Sequence, residues 1–203
     1  MRFIKVFMKI IVFIIGASVA LWILMPWDKI GEYVVLSAER RASTMAIAVR
    51  HSSVNGSWYG PNITINDFTG KYLIAGGEFK TVSVTPSYLQ SLIQFSPVIS
   101  VSFGGGKISL PGGNETDLGS GQVEVSFKNG ILTLRNLRSA GELSFDGYIE
   151  IDLSKGREID NADLIIKAPE KFDSYMQTIK SMIPSLSKES AGQWRIKKEK
   201  SNG

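Results

Sequence analysis

The sequence contains no cysteine and a single histidine, His51. Without cysteine the chain has no thiolate nucleophile, no disulfide, no cysteine-ligated zinc site and no iron–sulfur cluster. Any histidine-centred catalytic pair would have to use His51, and no GxSxG motif accompanies it. The simplest interpretation of His51 is therefore a solvent-facing position on a strand.

Complete phosphate-binding and calcium-binding motifs are also missing. The run Gly104-Gly105-Gly106-Lys107 lacks the GxxxxGK[ST] spacing of a phosphate loop, so a tight corner between two strands is expected there. Asn114, Glu115 and Asp117 have no EF-hand spacing around them. These segments predict turns and loops rather than ligand sites.

A row of carboxylates is the remaining place where chemistry could reside, at Glu142, Asp146, Glu150 and Asp152. Residues two apart on a strand share a face at about 6–7 Å, a separation compatible with glycosidase carboxylates. Such a row is also the ordinary solvated side of a sheet. We therefore predict no enzyme activity and no catalytic, cofactor-binding or metal-binding residues.

The 18 residues from Ile10 to Trp27 carry no charge. As a helix this run would span roughly 27 Å, close to the hydrocarbon thickness of a bilayer. Because Arg2, Lys5 and Lys9 precede the run, the positive-inside rule predicts a cytoplasmic N-terminus and a periplasmic main domain. A cleaved signal peptide, ending near Ala20, is the alternative. The same three basic residues contribute to the net charge of +4, which is thus poor evidence for nucleic-acid binding.

The rest of the chain is patterned as β-structure. Val123, Val125 and Phe127 alternate with polar residues, and Asn129-Gly130 is typical of a two-residue hairpin turn. The alternation resumes from Leu143 to Leu153 with one apolar and one polar side. This pattern predicts an antiparallel sheet that is wet on one face.

Helical spacing is confined to three short segments after the apolar run. They lie from Lys29 to about Arg41, from Thr85 to Pro97 and from Pro169 to about Ile183. Trp194 and Ile196 suggest one last strand, with Trp194 closing an end of the core, before a basic tail. The predicted segments are a cytoplasmic arm (1–9), a transmembrane anchor (10–27), a β-rich domain (28–196) and a disordered basic tail (197–203).

Two segments of the domain resemble protein N of the bacterial type II secretion system: Val82–Leu110 and Gly119–Leu153. The second segment has the order of elements found in that family, namely a strand, an Asn-Gly turn, a second strand and a longer strand. The family is in turn similar to AsmA-like envelope proteins, whose anchored sheet curls into a groove facing lipid. This chain is shorter than is usual in the family.

The resemblance implies a mainly β fold in which one transmembrane helix precedes a curled antiparallel sheet with two or three amphipathic helices. It implies an accessory, non-enzymatic component of the secretion system, single-pass in the inner membrane, whose partners are the bilayer, other secretion subunits and possibly phospholipid. The alternatives are an AsmA-like lipid-binding module and an envelope hydrolase that would use His51 or the acidic row.

Overall fold

The computed structural model describes residues 13–14, 16–22, 24–44, 46–57, 60–72, 75–109, 115–154 and 158–200. Within these residues the helices are α1 (Trp27–Thr44), α2 (Tyr88–Gln94) and α3 (Asp173–Met182), the last preceded by a 3-10 turn (Glu170–Phe172). The strands are β1 (Ile47–Arg50), β2 (Ser53–Ser57), β3 (Gly60–Tyr72), β4 (Ala75–Pro86), β5 (Val98–Ser109), β6 (Glu115–Lys128), β7 (Ile131–Ser139), β8 (Ser144–Asp152), β9 (Glu158–Lys167), β10 (Leu186–Ser190) and β11 (Gln193–Lys198).

The eleven strands join one antiparallel sheet. Ten of them follow the order β1-β3-β4-β5-β6-β7-β8-β9-β11-β10, and β2 pairs with β3. β1 and β2 lie end to end along the same side of β3, because β1 pairs with residues 69–72 and β2 with residues 60–66. In the part of the chain that the structure describes, β1, β2 and β10 each pair with a single strand, so the sheet is not closed. The mainly β, antiparallel prediction is confirmed.

The strand register sorts the side chains onto two faces. Val84, Val101 and Val123 are aligned across β4, β5 and β6 on the apolar face. One residue further along each strand, Ser83, Ser102 and Gln122 are aligned on the opposite, polar face. Because successive side chains of a strand point to opposite faces, this register separates the two faces across neighbouring strands.

The hydrophobic core lies toward the C-terminal side of the sheet, under α3. Trp194 and Leu186 are fully buried there, and Phe172 of the 3-10 turn and Met176 of α3 pack onto the strands. The core cluster consists of Leu118, Leu143, Ala162, Leu164, Ile166, Ala168, Phe172, Met176, Leu186, Trp194 and Ile196. The predicted helix near residues 169–183 and the closing role of Trp194 are thus confirmed.

The predicted transmembrane helix over residues 10–27 is wrong. Among the described residues, no helix combines the length and the apolar character needed to cross a membrane. Met25 and Pro26 are not helical, and α1, which begins at Trp27, carries six charged side chains. The inner-membrane location depended on this span and is corrected with it.

Several segments for which the sequence makes a prediction lie outside the residues that the structure describes. These are the proposed cytoplasmic arm, residues 10–12, 15 and 23 of the proposed anchor, Asn114 of the acidic loop, and residues 201–203 of the tail. The domain boundaries stay predictions. β11 continues to Lys198, two residues beyond the predicted end of the β-rich domain.

Two local expectations are wrong because a bulge or a strand replaces a turn. Gly104, Gly105 and Gly106 lie inside β5 at a β-bulge, where Gly105 has φ +60°, so β5 is one strand instead of two. A bulge inserts an extra residue without ending the strand. Glu115 and Asp117, expected in a loop, lie in β6 and pair with β5.

Candidate interaction surfaces

A polar trough crosses β5 to β9 on the wet face of the sheet. The register aligns Ser102, Gln122, Arg138 and Asp146 in one row across four strands. The first part of the trough encloses about 690 Å³ between these residues and Lys167, and Phe103, Phe145 and Ile165 also line it. Because strands hold these side chains at fixed spacing, the row forms a preset pattern of hydrogen-bonding groups.

The second part of the trough encloses about 440 Å³ and shares Arg138 and Asp146 with the first. Arg138 Nε lies 3.3 Å from Asp146 Oδ1, and Tyr148 Oη donates to Asn161 Oδ1 at 3.3 Å. Arg135 lies 3.7 Å from Glu150. The trough therefore presents both signs of charge at short intervals.

The acidic row does not form a pair of converging carboxylates. Glu142 precedes β8 and bonds Lys171 at 3.1 Å, while Asp146 and Glu150 each face an arginine. Asp152 is buried and accepts a hydrogen bond from the backbone N–H of Ser154 at 2.9 Å. Each carboxylate has its own partner, so the geometry offers a charge-balanced surface rather than an acid–base pair.

His51 lies between β1 and β2 rather than on a strand. Its Nδ1 is 2.6 Å from Glu39 Oε1 of α1, and both side chains are half-buried. The neighbouring hydroxyl of Ser52 donates instead to Asp67 Oδ2 at 2.9 Å. The solvent-facing interpretation of His51 is wrong, because this side chain links α1 to the sheet edge.

The remaining candidate ligands are dispersed within the described residues. Lys107 pairs with Asp117 across β5 and β6, in the middle of a sheet rather than at a helix N-terminus. Asp117 Oδ1 accepts a hydrogen bond from the Gly119 N–H at 2.8 Å. In that part of the chain no group of three or more His, Asp or Glu side chains could hold a metal ion.

Arg195, which lies just before the predicted basic tail, joins the last hairpin to the sheet. Its guanidinium donates to both carboxylate oxygens of Asp163, at 2.8 and 2.9 Å, and to Glu189 at 3.1 Å. The hydrogen bond from Arg195 lowers the pKa of Asp163, and bonds from Gln193 and Arg195 lower that of Glu189. Strand pairing of β11 with β9 brings these residues together.

An apolar cavity of about 350 Å³ lies between α3 and the apolar face of the sheet. Phe172, Met176 and Ile179 line it from the helix side. The sheet side and its margins are lined by Ile108, Leu143, Phe145, Ile166, Leu186 and Ile196. The cavity has room for part of an extended apolar ligand.

The α2 surface is an exposed apolar patch formed by Tyr88, Leu89, Leu92, Ile93 and Phe95. The exposed fractions of these residues run from 56% at Tyr88 to 84% at Phe95. Helical spacing does bring Leu89, Leu92 and Ile93 to one side, as predicted, but that side faces solvent. Large exposed apolar patches mark interaction sites in folded proteins.

A family model described as type II secretion system protein GspN-like, Synergistales, matches residues 4–198. The chain belongs to this family. It is thereby a type II secretion family protein, as the resemblance in Val82–Leu110 and Gly119–Leu153 implied. No curated protein and no solved structure matches the chain.

In this GspN-like chain the sequence drew attention to residues that the structure places in separate surroundings. His51 lies at one edge of the sheet, whereas Asp146 and Glu150 lie in the trough. Arg138 and Gln122 were missed because no local motif marks them, and only strand register aligns them. One feature of the sequence could have indicated the unusual surface of α2. Ser87 to Pro97 contains no charged residue, so any side of α2 that faces solvent lacks charge.

Proposed function

We propose that this protein is a non-enzymatic component of the type II secretion apparatus that acts through contacts with other secretion subunits. Membership of the GspN-like family supports the link to secretion. The observation that carries the contact role is the polar trough, in which Arg138 and Asp146 join two concave sections.

The composition of the trough suits a protein partner. It combines arginine, amide and hydroxyl groups with Tyr148, and arginine and tyrosine are enriched at protein interfaces. The ion pair between Arg138 and Asp146 is exposed, so a partner can exchange it for its own charged or amide groups with little loss. A polar polypeptide segment lying across the strands matches this surface.

Site-specific crosslinking tests the contact. A photo-crosslinking amino acid replaces Tyr148 in the full chain, produced in its native cells, and an exposed position on α3, Gln177, receives the same group as a control. We expect Tyr148 to capture type II secretion subunits and Gln177 to capture few or none. Capture that is equal at both positions, or confined to Gln177, contradicts a contact in the trough.

Isosteric variants test the non-enzymatic part of the proposal. Asp146→Asn and Glu150→Gln remove the two acidic side chains found among the described residues that line the second section, with little change in shape. General acid–base catalysis contributes typically ~10²–10⁴-fold, so a hydrolase would lose nearly all turnover. We expect secretion to fall only partially in each variant, and complete loss in either, with normal protein levels, argues for an enzyme.

A lipid-binding module of the AsmA-like kind is a second candidate, favoured by the apolar cavity under α3. Ile179→Trp should fill the cavity, since Ile179 lines it and is 40% exposed. Ile99→Trp is the matched control, being 39% exposed and outside the lining residues. If lipid occupies the cavity, native mass spectrometry should find phospholipid on the wild type and the control but much less on Ile179→Trp. A lipid-free wild type removes this candidate.

A further inference from the structure

The α2 surface is exposed because the opposite side of α2 is fixed to the sheet. Gln90 donates to Glu124 at 2.9 Å, and Lys128 donates to the Gln94 carbonyl at 2.9 Å. Ser91 accepts the Val98 N–H at 2.9 Å, and Ser96 donates to the Phe127 carbonyl, also at 2.9 Å. Turning the apolar side chains inward would break these four hydrogen bonds. The outward direction is therefore built into the fold.

The surface has no charge of its own. From Thr81 to Gly106 the sequence contains no Asp, Glu, Lys, Arg or His. A surface without charge selects an uncharged partner, because pairing with an exposed ion would require its desolvation. The partner must therefore present an apolar face of similar size.

Two charged residues of opposite sign flank α2 at its two ends. Glu124 contacts Gln90 near the beginning of the helix, and Lys128 contacts Gln94 at its end. Both charged side chains contact the sheet side of α2, opposite the exposed apolar side chains. In an antiparallel two-fold pair of α2 helices, each exposed face would therefore meet an identical uncharged face, with no ion to desolvate.

The size of the surface is also suitable. At ~150–250 Å² for a large side chain, the five residues and the adjoining Trp22 expose roughly 700 Å², close to the ~800 Å² per partner of a standard interface. The Trp22 ring contacts Tyr88 with a centroid separation of 6.0 Å, so the apolar surface continues beyond α2. Leu89, Leu92 and Ile93 form the i, i+3, i+4 ridge with which helices pack.

We propose that a second copy of this chain covers the α2 surface, forming a two-fold dimer through antiparallel α2 helices. The same patch serves both partners, as in other isologous interfaces. The polar trough lies outside this contact and stays available to other secretion subunits. The dimer and the proposed contact in the trough are therefore tested independently.

The absence of cysteine allows a direct experiment. Leu92→Cys is placed in the full chain, and Leu153→Cys, at a turn position that is also exposed, is the control. A short, membrane-permeant bismaleimide is added to cells that produce either variant. Because a specific dimer raises the local concentration of the paired thiols, we expect about tenfold more crosslinked dimer from Leu92→Cys than from Leu153→Cys.

A further variant separates a specific dimer from chance collisions. Ile93→Glu, added to Leu92→Cys, should abolish crosslinking without unfolding the chain, because Ile93 is 68% exposed. Equal crosslinking of Leu92→Cys and Leu153→Cys overturns the proposal, and so does undiminished crosslinking of Leu92→Cys when Ile93→Glu is present.

A photo-crosslinker at Leu92 identifies the occupant of the surface. Capture of a second copy supports the dimer, whereas capture of only a different protein or only lipid overturns it. Capture of secretion subunits at Tyr148 with no dimer at Leu92 overturns this inference and leaves the proposed function standing. A dimer captured at Leu92, with no secretion subunit captured at Tyr148, supports this inference and contradicts the proposed contact in the trough.

Discussion

Gly56 sets how closely α1 approaches the edge of the sheet. A Cβ at this position would lie 2.3 Å from the Asp28 backbone nitrogen and 2.5 Å from the Trp27 carbonyl carbon. No L side chain fits at that distance unless the backbone of α1 moves. The missing side chain of Gly56 therefore allows Trp27 and Asp28 to lie directly on β2.

We predict that Gly56→Ala lowers the free energy of unfolding by about 1–3 kcal/mol, the usual cost of overpacking. Gly70→Ala is the control, because its Cβ would meet only Phe68 at an ordinary 3.8 Å. That variant should leave the free energy unchanged or raise it by up to ~1 kcal/mol, since alanine restricts the unfolded chain. Urea unfolding measures both, and equal losses would show that the contact with α1 is unimportant.

At the scale of elements, the β10–β11 hairpin depends on ion pairs at the sheet edge. Arg195 joins β11 to Asp163 of β9 and to Glu189 of β10, and Lys188 bonds Asp173 at 2.5 Å. The hydrogen bond from Lys188 lowers the pKa of Asp173, as Arg195 does for Asp163. A short edge strand with charged side chains is also a poor template for unwanted pairing.

These lowered pKa values predict acid sensitivity. A carboxyl group whose pKa is lower in the folded state stabilises the fold above its usual pKa of ~4, and this contribution is lost as the pH falls through the lower, folded value. The urea midpoint of the wild type should therefore fall between pH 7 and pH 3. Asp163→Asn should show a smaller fall, because it lacks one of these carboxyl groups.

Glu142→Gln is the matched control for Asp163→Asn. Glu142 also pairs with a basic residue, Lys171, but both side chains are about half exposed and lie outside the hairpin. The urea midpoint of this variant should fall between pH 7 and pH 3 by as much as that of the wild type. If the midpoint of Asp163→Asn also falls by as much as that of the wild type, the ion pair between Asp163 and Arg195 does not contribute to stability.

At the scale of the whole molecule, burial is uneven along the sheet. The core cluster draws on β6, β9, β10, β11 and α3, and Phe145 and Ile149 of β8 pack against it. Among the β1–β4 residues whose burial the structure describes, Ile65 is the one buried apolar side chain. The β1–β4 side is held mainly by strand pairing and by α1.

We predict that backbone amides of β8, β9 and β11 exchange with solvent more slowly than those of β1–β3. Local opening is easier where few apolar contacts are lost. Native-state hydrogen exchange with mass spectrometry on the full chain measures this difference. Uniform protection across the sheet would show that the eleven strands open only as a single cooperative unit.

Local patterns in the sequence determined much of the β-structure. Strict alternation placed the strands now seen as β6 and β8, and Asn129-Gly130 marked the turn between β6 and β7, where both residues have positive φ. The helical spacing of Phe172 and Met176 identified the buried side of the 3-10 turn and of α3, which follows it. These predictions succeeded because the period of side-chain direction is a property of the backbone itself.

Only the tertiary structure decided what each face meets. Spacing aligned Leu89, Leu92 and Ile93, but hydrogen bonds on the opposite side of α2 turned them toward solvent. Strand order joined Arg195 to Asp163, 32 residues away, and the packing of α1 placed Glu39 beside His51. The uncharged run from Ile10 to Trp27 was predicted to be a transmembrane anchor, but Trp27 belongs to α1, whose other residues include six charged side chains. Periodicity shows which residues share a face, whereas contacts between distant segments determine what covers it.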